Sequence, residues 1–166
     1  MIVQNVLPAI RAKLPQSNNV IYVQQDNAKP HFNKDDPDIL EEGSRDGFSI
    51  MFKNQPPNSP DMNVLDLGFF NAIQSIQHQH SPKTIDELIS CVSNAFDELH
   101  LDKLDNVFLT LQLCMEETML AKGGNNYKLP HIGKAKLRNN GTLPASLTCR
   151  PEAILMARQN IDEQTL

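Results

Sequence analysis

The sequence predicts an α/β fold with a helical C-terminal layer, and three observations carry the prediction. The β-branched run Val20-Ile21-Tyr22-Val23 and the stretch Phe48-Ser49-Ile50-Met51-Phe52-Lys53 read as two short strands. Apolar residues elsewhere recur at a period near 3.6, the mark of helices with one apolar face. The 166 residues suffice for one domain with a real core, and 40% hydrophobic with 21% charged is a globular balance.

The elements follow in order. Ile2, Val3, Val6, Leu7, Ile10 and Leu14 predict a helix over 2–14, in which Pro8 marks a kink or a late start. A turn over 15–19 leads into a strand over 20–25. Asp36-Pro37 supplies an N-cap and a first helical position, and Gly43 closes that short helix. After the strand over 48–53, Gln55-Pro56-Pro57-Asn58-Ser59-Pro60 lacks three backbone donors and is a rigid connector. Asp61 or Asn63 caps a helix over 64–79, which Ser81-Pro82 stops.

Thr84-Ile85-Asp86-Glu87 is a capping-box pattern. It opens a helix with Ile85, Leu88, Ile89, Val92, Phe96 and Leu99 on one stripe, suited to covering a sheet. A further helix carries Leu104, Val107, Phe108, Leu111, Met115 and Met119, and Gly123-Gly124 ends it. Periodicity fades after residue 125, so an extended arm ending in a short helix over 151–159 is expected. The organisation expected is a core over 1–121 and a basic arm over 122–166. Two strands are few for a stable sheet. Either further strands lie elsewhere in the chain or it is the C-terminal part of a longer one, and the second reading is taken.

Charge is unevenly distributed. Between Thr118 and Pro151 there is no acid, while Lys122, Lys128, Lys134, Lys136, Arg138 and Arg150 give +6. With a whole-chain charge of −5, the remainder carries −11. Such a chain can hold cations in an acidic core and lay a basic tail along phosphates; the plain alternative is a solvated basic tail. No apolar run approaches the roughly 20 residues that span a bilayer. The N-terminus shows no secretory pattern. Cys91, Cys114 and Cys149 lack any Cys-x-x-Cys spacing and read as reduced thiols of the cytosol or nucleus.

Two acids carry the chemistry. Asp26 stands where the first strand gives way to a turn, and Asp66 stands just inside the helix that follows the proline connector. By helical wheel Asp66 shares a face with Phe69, Phe70 and Ile73, where a bare carboxylate needs compensation. A metal ion, a nearby cation or a rim position in the first helical turn would supply it. Asp26 has its own plain reading, a turn initiated by bonding to its own backbone. Together, with 39 residues between them, the pair suits Mg²⁺, which prefers carboxylate oxygens and keeps several waters. Two such ions serve phosphoryl transfer, and ligands gather at the carboxyl ends of strands in open α/β sheets. Asn27 and His31 are candidate supports that could orient a phosphate or carboxylate. His78 and His80 lack a third ligand at zinc spacing.

At these residues the chain resembles a known family. Gln25-Asp26-Asn27-Ala28-Lys29-Pro30-His31 and Pro56-Pro57-Asn58-Ser59-Pro60-Asp61-Met62-Asn63-Val64-Leu65-Asp66 are similar to the catalytic region of mariner-like transposases, and the 39-residue gap resembles the plant-type lineage. The likeness continues through Val107-Phe108-Leu109-Thr110-Leu111-Gln112 and Gly124-Asn125-Asn126-Tyr127-Lys128-Leu129-Pro130-His131. The resemblance implies a ribonuclease-H-like core, incomplete here, with three acids binding two Mg²⁺ or Mn²⁺ ions for cut-and-paste DNA transposition. Asp26 matches the second acid and Asp66 the third, while Asp61 matches a position that is not catalytic. No acid precedes Asp26, so the family's first acid has no match, and its N-terminal helix-turn-helix region is absent too.

The expectations that follow are a transposase fragment in the nucleus that binds DNA at transposon ends and has lost catalysis. Lys128, Lys134, Lys136 and Arg138 are its DNA-binding candidates. A homodimer, no membrane and no small-molecule cofactor complete the set. The alternative is a non-enzymatic DNA-binding or dimerisation module.

Overall fold

The computed structural model describes residues 1–15, 20–28 and 33–165. Among the described residues the protein is mixed α/β and mostly helical, with a small two-stranded parallel sheet. It divides into two compact units, 1–57 and 58–166, with the chain boundary inside the proline connector. The segment after residue 121 packs back onto the long helix before it, so both lie in the second unit.

In the first unit a π-helical turn, Ile2–Val6, runs into α1, Leu7–Lys13. Pro8 sits in the first turn of α1, where a missing N–H costs little, so the helix continues through it. Strand β1, Ile21–Gln25, pairs in parallel with β2, Ile50–Asn54, in the register Ile21 with Ile50 through Gln25 with Asn54. The crossover carries α2, Pro37–Gly43, whose N-cap Asp36 accepts from the N–H of Asp38 at 3.0 Å. The core is Leu7, Ile39, Ile50 and Phe52, lined by Val3, Ile10 and Val23. Gly43 has to be glycine, because a Cβ there would stand 2.5 Å from the carbonyl oxygen of Ile50. At the edge of this core Arg11 forms a salt bridge with the buried carboxylate of Glu42 and donates to the Glu42 carbonyl at 2.7 Å, tying α1 to α2.

The second unit is a helical layer. A 3₁₀ turn, Pro60–Met62, and a π-helical turn, Leu65–Phe69, lead into α3, Phe70–Gln77. Helix α4, Ile85–Asp97, opens on Thr84, whose hydroxyl accepts from the N–H of Glu87 at 3.1 Å. Glu87 reaches back one residue further than a standard box and accepts from the N–H of Lys83 at 2.6 Å. Helix α5, Leu101–Leu120, is the spine, and α7, Pro151–Thr165, packs along it. Buried here are Ile73, Ala95, Leu109, Leu113, Cys114 and Ala153.

Two expectations are corrected. The α4 stripe, expected to cover a sheet, is largely outward, with Ile85, Leu88, Ile89, Val92 and Phe96 exposed, whereas on α5 only Phe108 and Met115 of the stripe are exposed and Leu104, Val107, Leu111 and Met119 are half-buried. On α5 the buried side is Leu109, Leu113 and Glu116, because α7 and the segment leading into it occupy that side. The π turn Leu65–Phe69 takes another side, where Gly68 brings its backbone so near Val107 that a Cβ would lie 2.8 Å from a methyl carbon. The segment after Gly124 is not an extended arm. It contains α6, Lys134–Asn139, entered through Gly133 at φ 64°, and the last helix runs to Thr165 rather than 159.

Candidate functional site

Asp26 follows the last residue of β1 at the carboxyl end of the parallel pair. Its Oδ1 accepts from the N–H of Ala28 at 2.8 Å, an Asx turn that bends the chain away from the strand. The strand ends are cross-tied there. The N–H of Gln55 donates to the Gln25 carbonyl at 2.8 Å, and Asn27 Nδ2 donates to the Gln55 carbonyl at 2.9 Å. Gln25 Nε2 donates to Asn54 Oδ1 at 2.8 Å, while the buried Oε1 of Gln25 has no hydrogen-bond partner among the described residues. Asn27 is therefore a brace between the strand ends. His31 lies outside the described residues.

Asp66 stands in the π-helical turn of the second unit and is exposed. Asn63 holds it: Oδ1 of Asn63 accepts from the N–H of Leu65 at 3.1 Å, and its Nδ2 donates to Asp66 Oδ2 at 2.8 Å. Of the residues on its wheel face Ile73 is buried and Phe70 exposed. The carboxylate thus takes the rim position, with an amide as its compensation. Asp26 belongs to the first unit and Asp66 to the second. Among the described residues no three His, Cys, Asp or Glu side chains gather as a metal-binding group.

The stretch leading to Asp66 is anchored by residues that sequence reasoning did not single out as functional. The Tyr127 hydroxyl donates to the Asp61 carboxylate and accepts from Thr118 Oγ1 at 3.2 Å. Asn125 Nδ2 donates to the Asn58 carbonyl at 3.2 Å. Burial, and then the bond to Asp61, push the Tyr127 phenol up to about 12. Cys114, wholly buried beneath, is raised by burial and by the charge of Asp61. The only sequence signal for this clamp was the pairing of two motifs, Asn58-Ser59-Pro60-Asp61 and Asn125-Asn126-Tyr127, which periodicity does not connect.

The basic segment divides in two. Lys134 Nζ donates to the Asn106 carbonyl at 2.7 Å and to Thr110 Oγ1, and burial lowers its pKa. Arg138 donates to Asn106 Oδ1 at 3.1 Å and to the Asp102 carbonyl at 3.0 Å, and its Nε lies 3.2 Å from Asp102 Oδ1. Both cations fasten α6 to α5. Arg150 does the same for α7: its backbone N–H donates to Glu116 at 2.5 Å, and its guanidinium pairs with Glu116 and Glu117. Burial pushes the Glu116 carboxyl up, but the Arg150 bonds outweigh it and hold the group below its ordinary value. Lys128 and Lys136 are exposed.

A groove of about 540 Å³ lies between α5 and the chain entering α6, lined by Leu113, Leu129, Ile132 and Lys134. Compared with models of protein families, with curated proteins and with solved structures, the chain matches none.

Proposed function

We propose that this chain is part of the ribonuclease-H-like catalytic core of a mariner-like transposase, acting in the nucleus on DNA at transposon ends. In this reading Asp26 and Asp66 are two of three carboxylates that share Mg²⁺ or Mn²⁺. The observation that carries it is the setting of Asp26, at the carboxyl end of a parallel strand in a β-α-β crossover, where ligands of open α/β sheets gather. Two carboxylates within reach of water suit an ion that keeps several of its own waters. Such ions supply polarisation of the phosphate and activation of water or a 3′-hydroxyl. Asn27 and Asn63 act as braces, the first tying the strand ends beside Asp26 and the second holding the Asp66 carboxylate and the N–H of Leu65.

The chain carries two of the three acids that this chemistry uses, so by itself it holds metal and nucleic acid without cutting. Mn²⁺ titrated into isotope-labelled protein tests the shared ion. Amide signals near both acids should broaden together, and Asp66→Asn should relieve the broadening near Asp26. Broadening at Asp26 that ignores Asp66→Asn would show the acids acting separately. In parallel, supercoiled plasmid with Mg²⁺ or Mn²⁺ should remain intact; nicking abolished by Asp66→Ala would show that two acids suffice.

The second reading, a non-enzymatic DNA-binding or dimerisation module, draws on the exposed Lys122, Lys128 and Lys136 in an acid-free segment. Three phosphate contacts give a salt slope of about −2.7 in log–log form.

A further inference from the structure

Helix α4 turns an apolar face to solvent. Ile85, Ile89 and Phe96 are 76%, 59% and 57% exposed, with Leu88 and Val92 partly open beside them. These positions form one stripe about 16 Å long. The opposite side of α4 is occupied, since Ala95 is buried where α3 packs. The patch extends across the hairpin through Phe69, whose ring meets Phe96 at 6.1 Å and the exposed Phe70 at 6.2 Å, both edge to face. An apolar stripe of this continuity on a single helix marks an interaction surface, and its length suits a second helix packed along it.

The charge around it identifies the partner's chemistry. Asp86 and Asp97 each follow a stripe residue by one position, so they line the same flank of α4. Residues 54–102 hold seven acids and a single cation, Lys83. A second copy pairing antiparallel through α4 would set Asp86 against Asp97, like charge on like. Anionic lipid headgroups would meet the same repulsion. Of the cations of this chain, Lys134, Arg138 and Arg150 are already taken by α5. We propose that the outward face of α4 docks an amphipathic helix of another protein, apolar along one stripe and basic along its flank. The proposal is independent of the transposase reading.

Full-length chain is titrated into two fluorescent 18-residue helical peptides, one of Leu and Lys and one of Leu and Glu, and anisotropy is recorded. The Leu/Lys peptide should saturate and the Leu/Glu peptide should not. Ile89→Ser with Phe96→Ser should weaken the Leu/Lys peptide at least tenfold, and circular dichroism should show the fold intact because both side chains are exposed. Asp86→Lys with Asp97→Lys should move the preference toward the Leu/Glu peptide. Binding indifferent to the serine pair, or a peptide preference indifferent to the lysine pair, would overturn the proposal. So would concentration-dependent dimers in sedimentation that Ile89→Ser dissolves, or uptake by phosphatidylcholine vesicles, since another occupant then holds the face.

Discussion

Tyr127→Phe removes one oxygen and leaves the ring in place. In the folded protein that oxygen donates to the Asp61 carboxylate and accepts from Thr118, so its loss withdraws a donor from a charged, half-buried acceptor. A hydrogen bond to a charged group contributes about 1.5–3 kcal/mol, and an expectation near 2 kcal/mol follows. For a chain of this length each kcal/mol moves the melting temperature by roughly 2–4 °C, giving a drop of about 4–8 °C. Urea melts followed by circular dichroism would report it as a lower midpoint at unchanged slope. Asp61→Asn, with the double variant, isolates the pair, and a coupling of about 1–2 kcal/mol is expected. The alkaline limb gives a second signature. The phenol rises from 10 to about 12 on folding, so its contribution is complete below the unfolded value and is lost as pH climbs through the folded one. Tyr127→Phe should flatten that loss between about pH 10 and 12. A variant within about 0.3 kcal/mol of the parent, with the alkaline limb unchanged, would refute the clamp.

Other perturbations follow from the same geometry. Gly43→Ala drives a Cβ against the Ile50 carbonyl, which belongs to backbone and cannot swing aside, and should cost about 1–3 kcal/mol in a urea melt. Glu116→Gln should remove part of the acid limb. The lowered carboxyl stabilises above its unfolded value near 4.5 and loses that contribution as pH falls through the folded one, so the variant's stability should vary less below about pH 4.5. Replacing Lys128 and Lys136 by Ala should reduce the log–log salt slope of DNA binding by about 2. The same change at Lys134 and Arg138 should lower the melting temperature, since those cations fasten α6.

Local chemistry made much of the fold legible. Asp36-Pro37 and Thr84 act within three residues of themselves, so the α2 and α4 starts could be read from the letters. The β-branched run at 20–23 and the Phe48–Lys53 stretch placed both strands within two residues. What failed depends on distance. Periodicity finds a stripe on α4 and α5 but not whether a neighbour covers it, and α5 carries apolar residues on several sides. Helix α6 is held by tertiary bonds from Lys134 and Arg138 to α5 rather than by a stripe of its own, so its basic letters read as a tail. The same applies to the candidate site: the turns at Asp26 and Asp66 are local and were readable, whereas Tyr127 acts on Asp61 from 66 positions away.

That separation has a consequence during synthesis. At roughly 5–20 residues per second, about 3–13 s elapse between translation of the turn at Asp61 and arrival of the tyrosine that braces it. Throughout that interval the nascent polypeptide presents the turn without its latch. A product cut short before Asn125 would lack both bonds that brace this turn, so residues 66 and 67 positions downstream hold a turn whose own letters lie far upstream.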